Sequence, residues 1–283
     1  MTSRSVIAVA GLALLLSAFA ACKSPPDQPP PPPPVSSAPP LSSKAARALP
    51  DSPQTELGAT DSFSTTTGLL EIVPIHHASV LFKWHGKSIY VDPVTNLETL
   101  PKADYIFITH AHPDHLDEAT LARLKMNGTQ VVGPPAVAEK THVDVVLKNG
   151  DTKDLTDVKV EAVPAYNIVR GPSKDTRYHP KGDGNGYVIT FGDKRIYLSG
   201  DTECTPEMKA LKNIDGAFLC MNLPYTETTQ EAAECTLAFK PKVVFPYHWQ
   251  EKDPSLPPQK PEDFKSQVAA KDPSIDVRIR RWY

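Results

Sequence analysis

The chain has 283 residues, 33 acidic and 30 basic side chains, and a formal net charge of −3. No basic block stands out, so charge gives no support for nucleic-acid binding. Residues 1–21 come first. Arg4 precedes a small-residue apolar run from Val6 to Ala21, too short for a membrane span and ending as a cleaved signal peptide does.

The signal-like run ends in AFAAC at Cys22, which resembles a bacterial lipobox and implies lipidation of Cys22 after cleavage; an ordinary cleaved signal is the alternative. Ten prolines then fall between Pro25 and Pro40. Such a segment has nothing apolar to bury and stiffens into polyproline II, as a tether between a lipid anchor and a folded domain would. A proline-rich ligand for a partner domain is the other reading. Polar, aperiodic sequence extends the expected linker to residue 67, so 22–67 is read as lipidation site and tether, and 68–283 as one domain. The lipobox resemblance and the tether imply a protein of the bacterial cell envelope, anchored to a membrane through Cys22.

Short β-rich runs open the domain: LLEIVPI (69–75), SVLFKW (79–84) and KSIYVD (87–92), with His85-Gly86 as a hairpin turn. YIFIT (105–109) is continuous and apolar, as a strand buried on both faces is. A helix capped by Asp117 follows, with Leu121, Leu124 and Met126 near one face. QVVG reads as a strand, PAVAEKTH as a short helix with proline at its start, and VDVVLK as a strand. VKVEAVPAY alternates, and GYVITF and RIYLSGD form a hairpin through Gly192-Asp193. Thr205-Pro206-Glu207 starts a helix, GAFLC is a buried strand, Thr228 with Glu231 forms a capping box, and KVVFPYH is a strand ending in histidine. Two β-rich blocks, each with helices, predict an α+β sandwich with sheets inside and helices outside. Cys204, Cys220 and Cys235 lack short paired spacing and are expected to be small buried hydrophobes, one disulfide being the alternative.

The chemistry concentrates at His110, His112, Asp114 and His115, directly after a buried strand. Alternate residues of a strand point to opposite faces, so these side chains converge only if the chain loops after Thr109. Pro113 favours that loop. Imidazole and carboxylate together suit zinc, manganese or iron.

The spacing H-x-H-x-D-H resembles the metallo-β-lactamase superfamily. VDP at 91–93, LSGDTE at 198–203 and FPYHW at 245–249 resemble its other motifs, in order. IHHASVLF and the AYN…HPKGDGNGYVI…RIYLSGDT stretch resemble the branch typified by ascorbate-6-phosphate lactonase. The resemblance covers about residues 70–250 and implies an αββα sandwich with two central mixed β-sheets. It implies one or two divalent metal ions, zinc or else manganese. His110 and His112 would serve the first metal, and Asp114, His115 and His248 the second. Asp201 would bridge them, Asp114 and Asp201 would be the catalytic carboxylates, and Asp92 would orient a ligand. It implies a metal-activated water attacking an electrophilic carbonyl or phosphorus. The chain departs from the family where a further first-site histidine is usual: VPAYN puts Asn167 there. His179 in YHPKG is the stronger donor, as metal ligand or substrate contact, and the roles of Asn167 and His179 stay open.

Softer pocket candidates are His76 or His77, and Tyr166 and Tyr247 as oxyanion donors. Lys181, with Lys174 and Arg177, lies in the glycine-rich stretch 171–186, which would suit an anionic small-molecule substrate. The leading expectation is a hydrolase of lactones or phosphodiester-like substrates. The alternative is a non-catalytic surface lipoprotein that keeps the fold and binds metal or a ligand.

Overall fold

The computed structural model describes residues 60–95, 98–250 and 255–283. The expected signal, Cys22 and the proline tether lie outside these residues. The expected linker is shorter than read: Asp61–Thr65 forms a first strand, β1, paired antiparallel with β2 (Gly68–His76). Its polar DSFST sequence conceals an edge strand that buries Asp61 and half-buries Phe63.

Two seven-stranded mixed sheets stack face to face. The first runs β1, β2, β3 (Ser79–Trp84), β4 (Lys87–Val91), β5 (Tyr105–Phe107), β6 (Gln130–Gly133) and β7 (Val145–Val146). The second begins at one edge with β8 (Thr152–Asp154), β9 (Lys159–Ala165), β10 (Gly184–Phe191) and β11 (Lys194–Leu198). It continues through β12 (Gly216–Cys220) and β13 (Val243–Tyr247) to β14 (Asp276–Val277). Strands β3 and β4 meet through His85 and Gly86, both in the left-handed region at φ 48° and 76°, as a tight hairpin turn requires. The VDVVLK strand shrinks to two residues, and β8 and β14 complete the sheet edges.

The layers follow from a period of two. Phe82 and Trp84 of β3, Ile89 of β4, Phe107 of β5, Phe191 of β10, Phe218 of β12 and Phe245 of β13 point into the interface between the sheets. The intervening residues point outward. Leu81, Tyr90 and Ile106 meet α1 (Glu118–Leu124) and α2 (Pro135–Ala138). Tyr197, Ala217 and Val244 meet α3 (Pro206–Lys209), α4 (Thr229–Phe239) and α5 (Pro261–Lys271). The result is the αββα sandwich expected. Asp117 and Thr205 cap α1 and α3, and Thr228 and Glu231 form the capping box of α4. Met126, expected on the packed face of α1, falls beyond the helix and is exposed. Among the described residues no helix is long and apolar enough to cross a membrane.

The cysteine expectation is corrected. Cys204 and Cys235 form a disulfide across 31 residues, tying the loop after β11 to α4, and among the described residues Cys220 alone is a buried free thiol. Sequence spacing gives no hint of a pairing made by two elements packing together.

Candidate metal centre

The functional side chains sit where strands end at one rim of the sandwich. Asp92 follows β4, the 109–115 loop follows β5, Asp201 follows β11, and His248 follows β13. Chain direction there changes abruptly. His77, Asp92 and His248 hold left-handed backbone at φ 54°, 45° and 46°, a conformation that costs a non-glycine residue of order 1–3 kcal/mol. Gly200 does the same at φ 60°, and a Cβ there would stand 3.0 Å from the Thr109 Cβ and 3.1 Å from the Asn185 carbonyl. Only glycine lets the Asp201 loop approach the histidine loop this closely.

Six of the nine histidines gather here. His110, His112 and His179 form one group, with ligand atoms within 4.8 Å of one another; His77, Asp114, His115 and His248 form a second. Asp201 stands between. Its Oδ1 lies 3.3 Å from His115 Nε2 and 3.4 Å from His248 Nε2, and its Oδ2 lies 3.5 Å from His179 Nε2. One carboxylate thus offers an oxygen to each group.

The rings are aimed by their other nitrogens. Asp92 accepts from the Thr109 amide and hydroxyl at 2.7 Å each and holds His115 Nδ1 at 2.8 Å. With its proton given to Asp92, the Thr109 hydroxyl accepts from His110 Nδ1 at 3.0 Å. Asn167 Oδ1 accepts from the His179 amide and from its Nδ1, at 2.8 Å each, while Asn167 Nδ2 donates to the Tyr225 carbonyl and to Glu203. The Asn222 amide lies 3.1 Å from His248 Nδ1, and turning it through 180° pairs its otherwise unpartnered oxygen with Nδ1–H. In each case Nε2 is left to face the centre, the arrangement that orients imidazole ligands.

Asn167 is therefore not placed among the inward-facing donors. It stands behind His179 and holds it, which accounts for the departure from the expected motif. Glu203 in turn fixes the Asn167 loop by accepting the amides of Ile168, Val169 and Arg170. We expect Asn167→Ala to weaken metal binding by roughly 10- to 100-fold, the usual effect of losing a partner that orients a ligand, with stoichiometry retained. We expect His179→Ala to lower the stoichiometry itself. Metal titration followed by a competing chelator separates the two; identical behaviour would refute the division of roles.

Electrostatics match this geometry. Burial pushes His179 down to about 4 and His77 down to about 3, and holds His110 well below the ordinary histidine value. These rings are neutral near pH 7, the form that ligates a cation. Burial also opposes charge on His115, but Asp201 and Asp92 on either side outweigh it and hold its pKa well above the usual value. Burial works against the Asp201 carboxylate too, yet the surrounding imidazoles, His248 and His115 foremost, keep it well below the usual carboxylate range. Burial opposes charge on the half-exposed Asp114, but the His248 and His77 imidazoles beside it outweigh burial and hold it far below the usual carboxylate range.

The donor set fits a divalent cation. His179 Nε2 and Asp201 Oδ1 are buried with no hydrogen-bond partner, and buried polar atoms in native folds are otherwise paired. A cation beside them supplies the missing partner, and mixed imidazole and carboxylate donors suit zinc or manganese.

A cleft opens onto the first group, lined by Thr109, His110, His112, His179 and Asp201 and edged by Ala136, Tyr178, Pro180 and Asp183. The softer candidates lie apart from it. The Tyr166 hydroxyl donates to Glu207, and Lys181 pairs with the same carboxylate at 2.6 Å. Tyr247 is buried in the core and its hydroxyl accepts the Gly200 amide at 3.1 Å. Arg177 is spent on the carbonyls of Ile168 and Lys174. His76 meets the Trp282 carbonyl. Sequence reasoning missed Thr109 and Asn222 altogether. Thr109 directly precedes the histidine motif; Asn222 carries no local signal.

Comparison with known proteins places the chain in a family. A family model described as a β-lactamase superfamily domain matches residues 71–248. A UPF0173 metal-dependent hydrolase of Nanoarchaeum equitans is 31% identical over 187 residues, covering 64% of this chain and 84% of its own length. A crystal structure from Parabacteroides distasonis, named as a metal-dependent hydrolase, is 42% identical with a TM-score of 0.70, covering 79% of this chain and 98% of that one. A metallo-hydrolase of Ignicoccus hospitalis shares the fold at 23% identity and a TM-score of 0.59, over 74% of this chain and 94% of that one.

Proposed function

The chain belongs to the metallo-β-lactamase superfamily, and on that premise we propose that it is a metal-dependent hydrolase acting on a lactone or a phosphodiester-like substrate. The observation that carries the proposal is the division of Asp201 between two histidine groups, one oxygen toward each. His110, His112 and His179 would hold one divalent cation, and Asp114, His115 and His248 a second, zinc first and manganese next. Cations there supply a Lewis acid and a water activated near neutral pH.

This chain's own side chains do the rest. Asp92, Asn167, Asn222 and Thr109 keep the imidazoles aimed. Asp201 sets the spacing of the two groups. The alternative of a non-catalytic binding lipoprotein drew its support from Asn167 in place of a ligand, and His179 removes that ground.

The cleft lining contains no lysine or arginine among the described residues. Tyr178 lines it and meets Tyr225 edge-on, and Ile168, Val169 and Tyr225 next to the Asn167 loop are exposed. These surroundings suit an organic ring or ester beside the metal centre, so we place lactones ahead of phosphodiesters. A panel of neutral and phosphorylated lactones with phosphodiesters, assayed on metal-analysed protein, tests this. Lactone turnover that chelator abolishes and metal restores is expected. No turnover of any member by metal-replete protein would contradict it.

We also propose that Cys22 carries lipid and tethers the enzyme to a cell-envelope membrane, on the strength of AFAAC and the proline run after it. Stable anchoring takes more than one acyl chain. Mass spectrometry of the mature N-terminus should find acylated Cys22; a mature chain starting elsewhere would refute it.

A further inference from the structure

His77 sits with Asp114, His115 and His248 and by position alone qualifies as a fourth ligand. Its hydrogen bonds say otherwise. His110, His115, His179 and His248 each turn Nδ1 toward a group able to accept its proton, which frees Nε2. His77 Nδ1 instead meets the Tyr283 hydroxyl at 2.8 Å. That hydroxyl oxygen also accepts from the Gln250 amide at 3.2 Å, and its own proton is left to give. On the other side of the ring, His77 Nε2 faces the Asp114 carboxylate, which only accepts. The His77 proton therefore sits on Nε2, and Tyr283 donates to Nδ1.

From this we propose that His77 is a positioning residue, not a ligand: its Nε2–H donates to Asp114 Oδ2, held in that tautomer by Tyr283. The His77 to Asp114 distance is 3.2 Å. The proposal rests on the reading of Asp114 as a ligand, and it leaves Asp114 Oδ1 for the cation. The ring has little freedom to do anything else. The His77 amide donates to the Trp282 carbonyl at 3.0 Å, and its own carbonyl accepts from the His248 amide at 3.3 Å. Its ring lies against that of His248 with centroids 3.8 Å apart and meets Tyr283 edge-on. Trp282, which anchors this corner, donates from Nε1 to the Pro246 carbonyl at 2.8 Å. The segment ending at Tyr283 is thereby part of the metal centre's scaffold.

Cobalt(II) and zinc titrations of the full chain test this, read by d–d absorption and by chelator competition. Glutamine places an N–H near the position of Nε2 but is a poor ligand. We expect His77→Gln to keep the wild-type stoichiometry, cobalt spectrum and, within about threefold, affinity. We expect His77→Ala to keep stoichiometry but bind the cation beside Asp114 roughly 10- to 100-fold more weakly, and Tyr283→Phe to weaken it in the same direction. Tyr283→Phe removes one oxygen, so it carries the test if His77→Ala does not fold. Loss of one metal equivalent in both His77→Gln and His77→Ala would overturn the proposal and make His77 a ligand, leaving the metal centre itself intact. A wild-type chain that binds no cation would overturn the metal reading as well.

Discussion

Asp201→Ala is expected to lose metal and turnover together, with kcat/KM falling at least about a thousandfold, the upper end for removing one preorganised electrostatic group. Asp201 is buried, and its two oxygens face imidazoles from both groups. Without it, two cations would face each other with no anion between them. His115 would also lose one of the two carboxylates that flank it. Stability need not fall in parallel, because the substitution also relieves a carboxylate taken out of water. Full metal content and full activity in Asp201→Ala would refute the assignment.

The second large effect lies in the core. Phe218 is fully buried between the sheets, with ring centroids 4.7 Å from Phe245, 5.9 Å from Tyr247 and 6.1 Å from Phe82 and Trp282. Phe218→Ala should lower the unfolding free energy by about 3–5 kcal/mol, the usual cost of emptying such a site. That is a large share of the roughly 5–15 kcal/mol that holds a domain together. The damage should reach function, since Trp282 and Tyr247 also brace the rim that carries His77 and Gly200. Chemical denaturation measures the loss; a change under about 1 kcal/mol would mean the core repacks around the gap, contrary to the close packing described.

Much of this was legible in the sequence because the donors follow buried strands at short range. His110 to His115 leave β5 in one loop, and Asp201 and His248 each lie within a few residues of a strand end. Alternating and continuous apolar runs placed the main strands for the same reason. His179 was readable by chemistry alone, as the better donor near a misplaced amide. What Asn167 does was not, because its role consists of hydrogen bonds to a residue twelve positions on. Asn222, Tyr283 and the Cys204–Cys235 pair were hidden more deeply: each matters through a partner brought close only by packing of the layers. Strand β1 escaped notice because an edge strand buries few side chains, and its polar sequence looks like linker.

The central claim is that two histidine groups joined by Asp201 hold divalent cations. Anomalous diffraction from crystals of the full chain grown with zinc, collected on both sides of the zinc edge, tests it most directly. The account predicts anomalous peaks at the centre, one against His110, His112 and His179 or one against Asp114, His115 and His248, or both, each within bonding reach of Asp201. Zinc-replete crystals with no peak at this rim, or with a peak only elsewhere, would contradict it.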